Sequence, residues 1–123
     1  MGDRSRPKEP LPPEYFELAL KEDMSLSDAF DLPLTLLVVR VKGEFDRETT
    51  RRVLDVLRTA EPVTLPTPSE LAVVLPNTTP QRARAVESRT LDVLPDARVG
   101  VALYERGDAF IDLLERARRA AEP

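Results

Sequence analysis

The chain has 123 residues, of which 41% are hydrophobic and 33% charged, and this suits one globular domain with a modest core. Its 22 acidic and 18 basic residues leave a formal net charge of -4, which argues against a dedicated nucleic-acid binder with a basic stripe for phosphates. There is neither cysteine nor histidine, so disulfides, thiolate zinc sites, cysteine nucleophiles and histidine general bases are excluded.

The beginning of the chain differs in composition from the rest. Residues 1–12 place prolines among charged side chains and have too little apolar surface to order themselves, so we expect a flexible Pro-rich tail followed by one domain over residues 13–123. No apolar run reaches the length of about 18 residues that a membrane span requires. The first residues also lack the apolar core of a signal peptide. These features predict a cytoplasmic protein without a membrane span.

The domain alternates between helical and strand patterns. Pro13 suits the first turn of a short helix, and a separate apolar patch over residues 24–30 follows before Pro33 breaks the chain. The later elements are expected as a strand at 34–41, a helix capped by Asp46, strands at 63–65 and 71–75 around a loop at 66–69, a helix capped by Thr79, a strand at 98–104 and a helix at 110–121.

Three kinds of pattern support these elements. The near-continuous aliphatic run at 34–41 is typical of a central strand covered on both faces. Apolar residues after Asp46 and over 110–121 recur at the i, i+3, i+4 and i+7 spacing of one helical face. The two prolines of loop 66–69 predict a stiff connection. This order predicts an α+β sandwich related to the palm and ferredoxin-like plans, with a mainly antiparallel sheet flanked by helices.

Residues 69–76, 99–104 and 32–38 together resemble segments of the GGDEF, or diguanylate cyclase, family. Residues 69–76, S-E-L-A-V-V-L-P, resemble the end of the signature where the family reads D-E-F-A-V-L-L-P. Residues 99–104 and the helix after them are similar to the family's S-I-G-V-A strand and its following helix, and residues 32–38 resemble its first strand. The resemblance extends from Tyr15 to Ala121 and implies a small GGDEF-like fold.

The departures from the family imply a degenerate, catalytically inactive member. Two-metal chemistry needs acidic oxygens on the first strand, where this chain has Val39-Arg40-Val41. The signature loop is degenerate and consists of Thr67, Pro68, Ser69, Glu70 and Leu71. Glu70 is its one carboxylate, and the interval from Val39 to Thr67 is shorter than the family's by a helix. We therefore expect no enzyme activity, no catalytic residue, no cofactor and no metal site.

The resemblance implies a non-catalytic regulatory or scaffolding module of bacterial signalling that binds a protein partner or a second copy of itself. Residues 15–30 and the exposed side of the last helix are the expected partner surfaces. The alternative is a receptor for cyclic di-GMP or another guanine nucleotide, because Arg58 and Glu61 resemble the family's inhibitory R-x-x-D site. The same pair could instead only solvate a helix end, an interaction of about 0.2–0.5 kcal/mol. An active cyclase ranks third.

Overall fold

The computed structural model describes residues 9–57 and 62–122, which form four helices and one four-stranded sheet. The elements are α1 (Pro13–Phe30), β1 (Leu34–Arg40), α2 (Arg47–Leu57), β2 (Val63–Thr67), β3 (Glu70–Pro76), α3 (Pro80–Val93), β4 (Arg98–Leu103) and α4 (Phe110–Ala120). The strand order is β2-β3-β1-β4, and every neighbouring pair is antiparallel. The expected α+β class, with an antiparallel sheet flanked by helices, is confirmed.

β1 is a central strand whose side chains alternate between two buried faces. Leu36 and Val38 pack with residues of α1 and α4, whereas Leu37 and Val39 pack with residues of α2 and α3. Because helices cover both faces, the strand is apolar at every position from Leu36 to Val39 and does not alternate with polar residues there. The sheet therefore lies between two helical layers, each with its own hydrophobic core.

α1 is longer than the sequence suggested. Residues 13–30 form one helix of 18 residues, so the expected short helix and separate patch are parts of one element. Phe16, Leu20 and Met24 recur every four residues and are buried against the sheet. Large apolar side chains also occur on the solvent side of α1, and this obscures the helical period in the sequence. The helix ends at Asp31, which adopts a left-handed backbone with φ of 55°.

The connection between β2 and β3 is tighter than expected. β2 continues through Pro66 to Thr67 and β3 begins at Glu70, so residues 68 and 69 alone form the turn. Pro66 is tolerated because β2 is an edge strand, where a missing backbone N–H need not break a ladder bond. A register shift between Thr64 and Thr67 accommodates this stretch. The expected four-residue loop is therefore wrong.

Both predicted N-caps are confirmed. The Oδ1 atom of Asp46 accepts a hydrogen bond from the Thr49 amide at 2.7 Å, and Oγ1 of Thr79 accepts one from the Arg82 amide at 3.3 Å. α2 and α3 consequently begin at residues 47 and 80. The strands at 34–40 and 98–103 each end one residue before the expected position. None of the helices in the described ranges combines the length and the hydropathy needed to cross a bilayer.

Part of the expected flexible tail is attached to the sheet. The Leu11 amide donates to the Val63 carbonyl at 2.7 Å, and the Thr64 hydroxyl donates to the Leu11 carbonyl at 2.7 Å. Leu11 thus runs beside β2 as an isolated parallel bridge. These contacts depend on a threonine 53 residues away in sequence, so composition alone did not reveal them.

Candidate functional site

The turn between β2 and β3 packs against the end of β1. The Val41 amide donates to the Ser69 carbonyl at 3.0 Å, and the Phe45 amide donates to the Pro68 carbonyl at 2.8 Å. In the sheet, Glu70 is the cross-strand partner of Arg40. Residues 67–71 and the end of the first strand are therefore adjacent, as the resemblance implies.

A row of charged side chains crosses the sheet at this end. Arg40 pairs in register with Glu70 of β3 on one side and with Arg98 of β4 on the other. Directly opposed residues of antiparallel strands project from the same face. Glu70, Arg40 and Arg98 therefore share the face that α1 and α4 cover.

Glu70 is a buried carboxylate held by two arginines. Only 4% of Glu70 is exposed, and its two carboxylate oxygens accept hydrogen bonds from Nε and Nη2 of Arg118 at 2.9 and 2.7 Å. Nε of Arg40 lies 3.6 Å from Oε2 of Glu70. The hydrogen bonds from Arg118 to Glu70 raise the pKa of the Arg118 guanidinium. We call Glu70, Arg40 and Arg118 the Glu70 cluster.

The donor set of the Glu70 cluster does not fit a pair of divalent metal ions. Magnesium requires several oxygen ligands, whereas this cluster supplies one carboxylate, both oxygens of which bind Arg118. The guanidinium groups of Arg40 and Arg118 would also repel a cation at this position. Across residues 9–57 and 62–122, no group of three or more His, Cys, Asp or Glu side chains could hold a metal ion.

The other residues of the segment 67–71 have structural contacts. Oγ1 of Thr67 accepts a hydrogen bond from the Ser69 amide at 3.3 Å. Leu71 is fully buried with the side chains of α2 and α3, on the face opposite Glu70. Pro68 has no amide hydrogen that could bind a phosphate oxygen. The loop is thus built as a tight turn and offers little of the backbone that cradles a phosphate.

The predicted ligand-binding pair, Arg58 and Glu61, lies outside the described residues. A role for Arg58 and Glu61 in binding a guanine nucleotide stays a prediction.

Sequence reasoning missed Arg118, which makes the strongest contact of the Glu70 cluster. One signal was available: Glu70 alternates with Ala72 and Val74 on a buried strand face. A carboxylate at such a position is rarely buried without a cationic partner. The signal demands a partner but does not identify it, because Arg118 lies 48 residues further along the chain.

α1 exposes large apolar side chains on the side opposite its buried residues. Tyr15, Leu18, Leu26 and Phe30 are 60%, 60%, 53% and 67% exposed. On a helix of 3.6 residues per turn these four positions fall within an arc of about 120° that is separate from the arc of the buried residues, and Glu22 lies between Leu18 and Leu26. We call the four apolar residues the α1 stripe. They lie within the segment 15–30 that the sequence marked as a partner surface.

A second polar cluster joins the loop after β4 to α1 and α4. The Tyr104 hydroxyl donates to Oδ2 of Asp28 at 3.1 Å, and burial, together with Asp28, raises the pKa of Tyr104. Nη2 of Arg116 lies 2.6 Å from Oδ2 of Asp108, and this hydrogen bond lowers the pKa of Asp108. Asp108 Oδ2 also accepts from the Glu105 amide at 2.8 Å. These contacts fix the loop that leads into α4.

Solved structures of GGDEF domains share this architecture. The diguanylate cyclase SiaD of Pseudomonas aeruginosa, solved in complex with its activator SiaC, matches with a TM-score of 0.71 at 21% identity. The match covers 88% of this chain and 52% of that one, so the chain spans about half the length of SiaD. A DGC protein from Thermotoga maritima matches with a TM-score of 0.71 at 13% identity, covering 89% of this chain and 93% of that one.

The GGDEF domain of DgcB from Caulobacter crescentus, in complex with c-di-GMP, matches with a TM-score of 0.68 at 14% identity, covering 88% of this chain and 78% of that one. No protein-family model matches the sequence, and none of the curated proteins matches it either. At these identities the likeness shows the fold alone. The chain has the GGDEF-domain fold that its sequence segments implied.

Proposed function

We propose that the chain is a non-catalytic, GGDEF-like regulatory module that acts by binding a protein partner. The observation that carries this proposal is the Glu70 cluster. At the end of the sheet where the family resemblance implies metal-binding carboxylates, Arg118 binds both oxygens of Glu70, and Arg40 lies 3.6 Å from it. A site that neutralises its one carboxylate with guanidinium groups has no charge left with which to bind the magnesium of a nucleoside triphosphate.

Two observations support binding to a protein. The α1 stripe presents four large apolar side chains to solvent on one side of a helix, in two pairs, Tyr15 with Leu18 and Leu26 with Phe30, and exposed apolar side chains grouped in this way favour an interaction surface. SiaD, which has the same fold, was solved in complex with its activator SiaC. The bacterial sources of the structural neighbours favour a place in bacterial signalling.

The absence of catalysis is tested by incubating the chain with GTP and magnesium and separating the products by chromatography. We expect no cyclic di-GMP above the blank, with an active GGDEF domain as the positive control. Repeated turnover of GTP to cyclic di-GMP by the purified chain would refute the proposal. An Arg40→Ala, Arg118→Ala variant is expected to remain inactive, because removing the cations restores no acidic ligand.

Partner binding is tested by a pull-down from the native cytoplasm with the wild-type chain and a Tyr15→Ser, Phe30→Ser variant. The matched control is Leu11→Ser, because Leu11 is an apolar residue at 36% exposure that lies outside both α1 and α4. We expect a specific protein to be retained by the wild type and by the control, and lost with the double variant. Retention of the same protein by all three chains would exclude the α1 stripe as the binding surface.

A further inference from the structure

β4 is an edge strand whose outward backbone groups can be assigned from the register. The Tyr104 amide donates to the Leu34 carbonyl at 2.7 Å, which makes residues 34 and 104 a hydrogen-bonded pair. In an antiparallel ladder, hydrogen-bonded pairs alternate with pairs that are not hydrogen-bonded. Ala102 and Gly100, two and four residues before Tyr104, therefore also direct their amide and carbonyl groups to β1. Val99, Val101 and Leu103 direct their amide and carbonyl groups away from β1, towards the outer edge of the sheet.

These outward groups are only partly satisfied. The Leu103 carbonyl accepts a hydrogen bond from Nη2 of Arg116 at 2.8 Å. No hydrogen bond within the described ranges reaches the outward amide and carbonyl groups of Val99 and Val101. Two donors and two acceptors therefore remain available at the middle of the strand, spaced as a β-ladder requires.

The open part of this edge forms the floor of a groove. Val99, Gly100 and Val101 lie at the bottom of a groove of about 560 Å³, and Ala120 of α4 lines it as well. Helix α3 forms one wall of this groove. The residues that line the wall lie on one face of the helix: Pro80, Arg84, Glu87, Ser88 and Leu91. From residue 80 to residue 91 a helix rises about 16 Å, which is the length of about five residues of extended strand.

The opposite edge of the sheet is protected. Along β2, Leu11 bonds to the Val63 carbonyl and to the Thr64 hydroxyl, and Pro66 has no amide hydrogen to offer. Edge strands are commonly blocked in this way because unpaired backbone groups bind other strands. The residues that form β4 contain neither proline nor lysine and none of the register shifts seen in β2. The described part of the fold therefore leaves one edge available for strand addition.

We propose that the groove beside β4 binds an extended segment of a partner protein, which adds to the sheet as a fifth strand. Four backbone hydrogen bonds to Val99 and Val101 provide the affinity. A residue opposite Gly100 points towards Ala120 and must be small, while its neighbours point towards the α3 wall, where Arg84, Glu87 and Ser88 favour polar side chains. The occupant is thus a short strand that alternates small apolar and polar residues.

A peptide strand fits this edge better than a second copy of the domain does. An edge-to-edge dimer would bring the α3 and α4 of the second copy against the same groove, whereas a single extended segment brings no helices with it. This inference rests on the proposed function, because it adds to the α1 stripe a second surface on which a protein partner binds.

The test uses an acetylated and amidated peptide, Lys-Thr-Ala-Thr-Ala-Thr-Lys, titrated into the full 15N-labelled chain. At a peptide concentration ten times the Kd, we expect exchange of the Val99 and Val101 amides to slow about tenfold. The matched control peptide carries N-methyl groups on its three threonines, so it keeps the side chains but loses the donors. It is expected not to bind. No slowing at Val99 and Val101 at the highest soluble peptide concentration, or equal binding of the methylated peptide, would overturn the proposal.

Two variants sharpen the result. Val101→Pro removes an outward amide without removing a hydrogen bond to β1, and we expect it to abolish peptide binding while the chain stays folded. Val101→Thr keeps that amide and is expected to bind as the wild type does. Self-association in sedimentation that Val101→Pro abolishes would assign the edge to a second copy and overturn the peptide proposal. The cyclase assay does not depend on peptide binding. A result that overturns strand addition at β4 would therefore leave the proposed lack of cyclase activity untouched, and the reverse also holds.

Discussion

Gly100 of β4 and Ala117 of α4 are in direct backbone contact. A β-carbon on Gly100 would lie 2.2 Å from the Ala117 carbonyl oxygen and 2.5 Å from the Ala121 amide nitrogen. Such distances are accessible only to glycine, so α4 crosses β4 more closely than any other residue would allow. The next residue after Ala117 is Arg118, which this crossing places within reach of Glu70. The glycine therefore helps to set the geometry of the Glu70 cluster.

Gly100→Ala is expected to destabilise the chain by about 1–3 kcal/mol, because the added methyl group meets helix backbone that cannot rotate away. Urea unfolding measures the effect. The matched control is Gly43→Ala: a β-carbon there meets nothing within 4 Å, so we expect no loss of stability and a gain of up to about 1 kcal/mol. Equal stability of Gly100→Ala and the wild type would show that α4 does not pack on β4 at this distance.

Most elements of the fold could be predicted from local patterns. The positions of β1 and α4 follow from their hydrophobic periodicity, and Asp46 and Thr79 were identifiable as caps. The continuity of α1 was missed because the α1 stripe adds apolar residues to the exposed side of the helix. The extent of β2 was missed because a proline is acceptable there only at an edge, and edge position depends on the strand order of the whole sheet.

The candidate site was predictable in part. Arg40 and Glu70 were identified from their places relative to the family pattern, and the register brings them together. Arg118 was not, because α4 carries several arginines and the path of the helix decides which one reaches β3. Arg116, half a turn earlier, instead bonds to Asp108 and the Leu103 carbonyl. Sequence pattern shows that a buried carboxylate needs a partner, but tertiary structure selects it.

Arg118→Met is expected to destabilise the chain by about 1–3 kcal/mol, because it leaves Glu70 buried with its closest remaining cation among the described residues, Arg40, at 3.6 Å. Loss of a partner from a buried pair costs about 3–5 kcal/mol. We expect the lower range of about 1–3 kcal/mol for Arg118→Met, because 32% of the Arg118 side chain is exposed and solvent screens the pair. The measurement is urea unfolding, with Arg119→Met on the exposed side of the same helix as the control.

A Glu70→Leu, Arg118→Met double variant measures how far the stability contributions of Glu70 and Arg118 depend on each other. Because no uncompensated charge then remains buried at Glu70, we expect it to be more stable than Arg118→Met alone. If the double variant lost as much stability as the sum of the two single variants, Glu70 and Arg118 would not be coupled in solution.

Calorimetric titration with cyclic di-GMP tests the alternative role of Arg58 and Glu61. If the chain is a protein-binding module, as proposed, we expect the wild-type chain not to bind cyclic di-GMP at micromolar concentrations. An Arg58→Ala variant is the matched control, since it removes the side chain that could bind a phosphate or stack on guanine. Micromolar binding by the wild type that disappears in Arg58→Ala would favour the receptor over the protein-binding module.

The Asp108–Arg116 pair predicts a specific dependence of stability on acid. Hydrogen bonds from Arg116 lower the pKa of Asp108 in the folded chain, whereas in the unfolded chain the carboxyl regains an ordinary pKa of about 3.9. A lowered folded pKa contributes stability that is fully present above the unfolded pKa and is lost as the pH falls through the folded pKa. Asp108→Asn should therefore lower the free energy of unfolding by about 1–2 kcal/mol at neutral pH.

The difference between the two chains should shrink as the pH falls from about 5 to 2, because protonation of Asp108 removes the same interaction from the wild type. Urea unfolding across this range measures it, with Asp96→Asn as a control at a carboxylate outside the pair. A constant difference at all pH values would mean that the charge of Asp108 does not contribute to stability. The hydrogen bond that Asp108 accepts from the Glu105 amide would then account for the effect.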